Sequence, residues 1–436
     1  MINPYYETPN GVLYHGDNRD ALPFISGCTA CVTDPPYGLG FMGKDWDHGV
    51  PGTKYWKLIL DSCLPGAPLM AFGGTRTVHR LVCAIEDAGW EIRDGIEYLH
   101  WIYGSGFPKS LDISKAIDKA AGAEREIIKE TKTKSGGMAC VNRANKEQGF
   151  RPNNYNEHGN IFQTTTPATE AAQKWNGYGT ALKPAHEPIS LSFKPIEKNF
   201  ANNALTHGVA GLNIEGGRVA TDEDQRRPSA GGDNGLIGTS TFKIHERKIN
   251  DQVKHQGRWP SNIIHDGSPE VLALFPENHG HGSSQHSGSE KGMFPWGTAR
   301  RVQTGGEPGS AARFFYCAKA SRSEREAGCG LLPLKKGGLC SNTSGQHITR
   351  RDGGAPDPVH NKHPTVKPLE LIKYLITLVT MPEKNLIIDP FAGSGTTPLA
   401  CEQLGLPWVA CEKEEESCHI IVQRIENERK QRKLFA

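Results

Sequence analysis

Leu386-Ile387-Ile388-Asp389-Pro390-Phe391-Ala392-Gly393-Ser394-Gly395-Thr396-Thr397 is the stretch that decides the fold. An apolar run ends at an acid, a proline follows, and two closely spaced glycines lead into an apolar stretch reaching Leu404. This reads as a buried strand over Leu386–Asp389, a glycine turn over Phe391–Thr397 and a helix over Thr397–Leu404. Glycine lets the backbone approach a ligand closely, and the free N–H groups of a helix start favour a carboxylate or phosphate. A second strand, Pro407–Cys411, ends at Glu412, the position from which an acid grips ribose hydroxyls in such β-turn-α-β units. A phosphate-binding loop is the rival, but the lysine it needs between Gly395 and Thr396 is missing. A nucleoside of modest charge suits the turn better. Glu412 also begins the acidic run to Glu416 that opens a charged helix over Glu415–Arg432, where the dipole favours it.

Upstream of this unit, Pro368–Thr380 reads as an apolar helix, and its counterpart elements lie at the other end of the chain. Gly11–Asp17 is a short strand ending in a glycine and an acid; Thr29–Thr33 is a second, followed at once by Asp34-Pro35-Pro36-Tyr37. A carboxylate accepts hydrogen bonds, two prolines fix the backbone and free their carbonyls, and a tyrosine offers a flat face, so the four could hold a planar amino-bearing ring. A strand followed by a proline turn explains the same letters. Beyond lies the polar, glycine-rich stretch 38–53, placed to form a loop over a site, then a helix at Tyr55–Leu64, a strand at Ala67–Phe72, an amphipathic stretch at Thr75–Ala88 and a strand-like one at Trp90–Trp101. Alternating strand and helix argues for a mostly parallel sheet.

At 436 residues the chain has room for two or three domains, and 50 glycines with 29 prolines point to extensive loop or insertion. The regular pattern fades at residues 111–180, which read as a mobile insertion with a helix at Ile113–Ala121. It returns for one strand within residues 181–196 and gives way over 197–360 to short strand candidates (217–220, 261–265, 313–317) among Gly, Ser, His and Arg, as in a loop-rich recognition region. Net charge is only +2, so a polyanion would have to be met locally; Arg226-Arg227, Arg300-Arg301 and Arg350-Arg351 are candidates for phosphate or guanine contacts. Trp259, Trp296 and Phe314 read as local core. The 11 cysteines are odd in number and several sit in apolar runs, as expected of reduced thiols; Cys28 and Cys31 have CxxC spacing without a second pair. His279, His281 and His286 lack a cysteine spaced to complete a zinc site, so no metal is expected. No apolar run approaches the roughly 18 residues of a membrane span and no signal sequence opens the chain, which leads us to expect no membrane partner and a cytoplasmic location.

Asp34-Pro35-Pro36-Tyr37 together with Phe391–Thr397 resembles the pair of signatures shared by the S-adenosylmethionine-dependent DNA methyltransferases that modify exocyclic amines. The order, catalytic tetrapeptide first and cofactor loop last, resembles the β group of that family, of bacterial or phage type, in which a target recognition domain lies between the two. His363-Pro364-Thr365-Val366-Lys367-Pro368, Gly16-Asp17 and Lys183–Ile189 are similar to further family segments. The resemblance implies a Rossmann-like class I methyltransferase, an α/β fold with a mostly parallel sheet and circularly permuted motif order, plus an inserted target recognition domain. Its catalytic half would be residues 1–110, its cofactor half 361–436. It implies Asp34, Pro35, Pro36 and Tyr37 as catalytic residues. Asp17, Thr365, Lys367, Asp389, Phe391, Gly393, Ser394, Gly395, Thr396 and Glu412 would hold S-adenosylmethionine: Asp389 and the glycine backbone near the methionine moiety, Glu412 on the ribose, Asp17 near the adenine, Thr365 and Lys367 at the amino-acid end.

The expected reaction is site-specific methylation of adenine N6 in double-stranded DNA by base flipping, in a DNA modification or restriction–modification setting. Adenine is favoured because an initial Asp resembles adenine enzymes more than cytosine ones, where Ser is common. N4-cytosine methylation, RNA base methylation and a DNA-binding module with a decayed site stand as alternatives, and the sequence leaves a homodimer open. One spatial expectation follows: Asp34 and Gly393 must be near neighbours on adjacent strands.

Overall fold

Along the central parallel strands of this protein, successive side chains enter two different cores, which is why their sequences are apolar without alternation. The computed structural model describes residues 3–39, 49–93, 99–104, 110–132, 161–221, 257–278, 309–318, 329–330, 361 and 366–435. The strands in chain order are β1 (Tyr6–Glu7), β2 (Gly11–His15), β3 (Ala30–Thr33), β4 (Pro68–Phe72), β5 (Glu91–Ile92), β6 (Leu99–Ile102), β7 (Ile127–Lys132), β8 (Ile161–Thr165), β9 (His186–Phe193), β10 (Ile263–His265), β11 (Glu277–Asn278), β12 (Gly309–Ser310), β13 (Tyr316–Cys317), β14 (Ile387–Asp389) and β15 (Trp408–Glu412).

One sheet takes the order β1-β2-β15-β14-β3-β4-β9-β6-β10-β13, with β5 on β9. From β2 to β4 every neighbour is parallel; β9 runs antiparallel to β4 and β6. Ala30, Val32, Met70, Phe72, Ile387, Trp408 and Ala410 face a core closed by the helices Leu369–Val379, Thr396–Leu404 and Glu415–Phe435. Cys31, Leu69, Ala71, Ile388, Val409 and Cys411 face the opposite core, closed by Thr53–Ser62 and Val78–Asp87. The result is three α/β/α layers, the doubly wound arrangement expected. The helices Leu369–Val379 and Thr396–Leu404 are buried nearly all round, consistent with their position between the sheet and other elements.

Residues 111–180 read as a mobile insertion; their described part forms the helices Ile113–Ala120 and Glu170–Lys174 beside the β7–β8 hairpin. Buried Asp118 ties it together, accepting from Arg125 at 2.7 Å, from the amides of Ala168 and Thr169 and from the Thr169 hydroxyl. The described part of region 197–360 adds to the sheet. It supplies β10, parallel to β6, and β13, parallel to β10. These pairings connect residues far apart in the chain, and no local pattern reports them. Trp259 is not core but 65% exposed, with the Arg218 guanidinium 5.7 Å above its ring. The arginine pairs, the three histidines and Trp296 lie outside the described residues. Among the described residues no helix is long and apolar enough to cross a membrane.

Gly11 marks a close approach on β2. A Cβ there would fall 2.1 Å from the ring of Trp408, a buried side chain whose Nε1 donates to Glu402 at 3.0 Å. Gly11→Val is therefore expected to cost about 3 kcal/mol through overpacking; a urea-denaturation midpoint equal to that of the wild type would contradict this packing.

Candidate active site

The carboxyl ends of β2, β15, β14, β3 and β4 open on the same edge of the sheet, where doubly wound folds bind ligands. β14 pairs with β3 through Ile387–Ala30 and Ile388–Cys31, so Asp389 and Thr33 emerge side by side. The Thr33 hydroxyl donates to Asp389 Oδ1 at 2.7 Å, and the Phe391 amide donates to the same oxygen at 3.2 Å. Burial raises the Asp389 carboxyl to about 6 despite these donors. The turn then runs through Gly393 and Gly395, both at positive φ. Gly395 allows no side chain, because a Cβ would lie 2.7 Å from Ile421.

Glu412 closes this turn from β15. Its carboxylate accepts the Gly393 amide at 2.7 Å and the Glu414 amide at 2.8 Å, while burial pushes the acid up to about 7. β2 runs alongside, and the Gly16 amide donates to the Glu412 carbonyl. Asp17 caps the helix Asn18–Ala21 and binds Arg19 at 2.6 Å, a contact that keeps its carboxyl below the ordinary range. A small cavity lined by Tyr14, His15, Gly16, Asp17, Asp20, Ala21 and Cys411 lies at this end. Asn18, from the same helix, donates to the Pro390 carbonyl at 2.9 Å; its buried Oδ1 has no partner among the described residues.

Asp34 begins the other half of the site. Its Oδ1 accepts from the Tyr37 hydroxyl at 2.9 Å, and its Oδ2 receives the Lys367 ammonium at 2.5 Å. Lys367 Nζ also stands 3.2 Å from the Tyr37 hydroxyl, 3.5 Å from Glu187 Oε2 and 4.7 Å from the Phe72 ring centre. Burial opposes the charge on Lys367, but Asp34 and Glu187 together outweigh it and hold the ammonium above its ordinary value. Burial raises Glu187, with Lys367 opposing and Asp34 adding to the rise. Burial, then the Asp34 and Glu187 charges, keeps the Tyr37 phenol well above its ordinary value, so it stays a donor. The Tyr37 carbonyl is fixed by the Thr77 hydroxyl at 2.6 Å.

The site residues read from sequence thus divide into two clusters. Asp389, the glycine turn, Glu412 and Asp17 surround one end of the crevice, and Phe391 packs on Tyr55 and Trp56. Asp34, Pro35, Pro36 and Tyr37 lie beside them on the next strand's exit. Ser394 and Thr396 turn the other way: buried Arg424 donates to the Ser394 carbonyl at 2.7 Å and reaches the Ser394 and Thr396 hydroxyls at 3.3 and 3.4 Å. Lys367 joins Asp34 and Glu187, not the glycine turn, and Thr365 lies outside the described residues. Glu187 and Arg424 were not singled out from the sequence. Each leaves a trace there: a carboxylate opening the apolar strand Ile189–Phe193, and an arginine in phase with Ile420, Ile421 and Ile425 on the closing helix. Among the described residues no cluster of His, Cys, Asp or Glu could hold a metal ion.

A family model described as DNA methylase, of the N6/N4 methyltransferase type, matches residues 29–423. The type II methyltransferase M.HindIII of Haemophilus influenzae is 41% identical over 85 residues, 20% of this chain and 25% of the relative. M2.DpnII of Streptococcus pneumoniae is 40% identical over 67 residues (15% and 25%), and M.BamHI of Bacillus amyloliquefaciens 40% identical over 67 (15% and 15%). These matches span a quarter or less of the relatives' length. Among solved structures, the PvuII DNA methyltransferase (cytosine-N4-specific) is 13% identical with a TM-score of 0.41, covering 97% of this chain and 88% of that one. The M1.HpyAVI–SAM complex is 12% identical with a TM-score of 0.35, covering 95% and 99%.

Asp389 and Glu412 both carry raised carboxyls, so the folded protein holds protons that the unfolded chain has already released. Stability is then lost as pH rises from the ordinary carboxylate range towards about 7, and the loss is complete above it. In the ligand-free protein Glu412→Gln removes one of the two contributions. The unfolding free energy of the variant relative to wild type should gain on the order of 3 kcal/mol between pH 4.5 and 7. Chemical denaturation across that range checks it; parallel curves would refute it.

Proposed function

The chain belongs to the N6/N4 DNA methylase family, and from that premise we propose that it transfers a methyl group from S-adenosylmethionine to the exocyclic N6 amine of adenine in double-stranded DNA. The supporting observation is the β3–β14 pairing, which brings the Asp34 tetrapeptide and the Asp389–Thr397 turn together at one edge. One half offers acceptors for an amine; the other offers carboxylates and a close backbone.

The residues at the glycine turn fit the cofactor. Asp17 and Glu412 present acids for its hydroxyls and amine, Asp389 sits beneath the turn, and Gly393 to Gly395 let the backbone come close. The unpartnered Asn18 Oδ1 adds an acceptor at the same end. When bound, S-adenosylmethionine supplies an electrophilic methyl group.

The chain's own residues then deal with the amine, a poor nucleophile because its lone pair is delocalised into the ring. Asp34 and the Pro35 carbonyl accept its two N–H bonds and favour a more tetrahedral nitrogen, help that is worth most when it strengthens in the transition state. Tyr37 holds the Asp34 carboxylate through its hydroxyl and gives an extruded base a stacking face worth about 1–3 kcal/mol. Alignment of the amine with the methyl group is an orientation effect. Adenine is preferred over cytosine because the tetrapeptide begins with Asp.

Two measurements test this. Incubation with labelled S-adenosylmethionine and unmethylated DNA, followed by digestion to nucleosides, should put the label on N6-methyladenine; label confined to N4-methylcytosine overturns the adenine assignment. Asp34→Ala should lower kcat by at least about a hundredfold while cofactor affinity stays close to that of the wild type, and a fully active variant would remove Asp34 from the reaction.

A further inference from the structure

Lys367 lies where the reaction needs something else. The acceptor amine must donate to Asp34, yet Asp34 Oδ2 already receives the Lys367 ammonium at 2.5 Å. Three features bear on how the two demands are reconciled. The Asp34 side chain is 22% exposed and opens to the crevice, whereas the Lys367 side chain is 4% exposed and approaches from within. Lys367 has a second carboxylate, Glu187 Oε2, at 3.5 Å, and the Tyr37 hydroxyl at 3.2 Å touches the same group. Its backbone is anchored, because Pro368 caps the helix Leu369–Val379 directly after it. Only the side chain has to move. Bringing the 3.5 Å contact to a charge-assisted hydrogen bond of about 2.8 Å takes less than one ångström.

We propose that Lys367 is a stand-in for the substrate amine, an ammonium that fills the Asp34 acceptor position until the flipped base arrives and is then retained by Glu187. The inference rests on the methyl-transfer reading above and deepens it. An amine that approaches Asp34 Oδ2 meets the Lys367 ammonium already there, so the two compete for that oxygen. Expelling a buried ammonium without a partner would be prohibitive. Glu187 removes that obstacle, since the cation passes from one carboxylate to another and never leaves an anionic neighbour. Contacts from Tyr37 and Lys367 also hold the Asp34 carboxylate in one orientation, so that the base meets an acceptor already in position. Glu187 and Lys367 are then positioning residues: they control how often Asp34 is open to the base. The apparent affinity for the base scales with that open fraction.

The test uses the full chain, unmethylated plasmid DNA and labelled S-adenosylmethionine. Glu187→Gln leaves Lys367 with one anionic partner, Asp34, so KM for DNA should rise about tenfold or more with a smaller change in kcat. S-adenosylhomocysteine affinity, measured by calorimetry, should match the wild type. Adding Lys367→Met removes the competing ammonium, and the double variant should recover most of the KM lost in Glu187→Gln. That recovery is a signature a merely structural role would not give. A Glu187→Gln protein with wild-type KM overturns the proposal, as does a double variant no better than the single one. Should Glu187→Gln fail to fold, Lys367→Met alone decides: a lowered KM for DNA supports the proposal, and an unchanged or raised KM refutes it. Transfer by the wild-type protein is the shared control. Its absence sinks the methyl-transfer reading itself, whereas its presence leaves the variant pattern to judge Lys367.

Discussion

Parallel pairing of β3 with β14 joins the two ends of the chain, and the site depends on it. The strands come from positions more than three hundred residues apart, yet their exits are fixed to within one hydrogen bond by Thr33 and Asp389. Because all strands from β2 to β4 run the same way, the acids at their carboxyl ends cannot avoid one another's neighbourhood. Asp17, Glu412, Asp389 and Asp34 form a row along that edge. In the proposed reading, cofactor and acceptor chemistry are divided between adjacent strands, each buried on both faces.

The row of acids carries an electrostatic cost that the structure meets in two ways. At the cofactor end, backbone amides neutralise the acids: Gly393 and Glu414 donate to Glu412, and Phe391 to Asp389. Burial still leaves both carboxyls above their ordinary range, which suits groups whose full complement of donors comes with a ligand. At the acceptor end the neutralising charge is a side chain, Lys367, shared by Asp34 and Glu187. Amides are fixed, whereas a lysine can move. That difference matches the tasks proposed for the two halves, one holding a ligand for the whole cycle and the other admitting a base.

The described parts of the two insertions are held by specific contacts. Region 197–360 lends β10 and β13 to the edge beyond β6, and segment 208–219 packs on the helix Leu369–Val379, where the Asn213 amide donates to the Leu378 carbonyl. The described part of 111–180 is tied together at the buried carboxylate of Asp118, with a charged partner and three further donors. Exposed Trp259, with Arg218 over its ring, shows how little a lone aromatic in a polar region says about burial.

What the sequence determined by itself was local. The strand–turn–helix at Leu386–Leu404, the strand ending at Asp34 and the strand ending at Glu412 are each written in a contiguous run of apolar residues closed by glycine, proline or acid, and short-range sterics and burial suffice to read them. The parallel sheet followed from their alternation. Tertiary structure decided which side chains meet. Lys367 reads as a residue before a proline beside the cofactor loop, but its four-carbon arm reaches Asp34 and Glu187. Glu187 reads as the start of a strand, and Ser394 and Thr396 read as ligands although Arg424 holds them from behind. Those outcomes depend on the direction of a side chain across a sheet and on pairings between distant strands, quantities that have no period and no spacing in a single sequence. The physical reason is that burial and charge pairing act through space: an ammonium excluded from water finds whichever carboxylates the fold places within reach, and only the fold knows where they are.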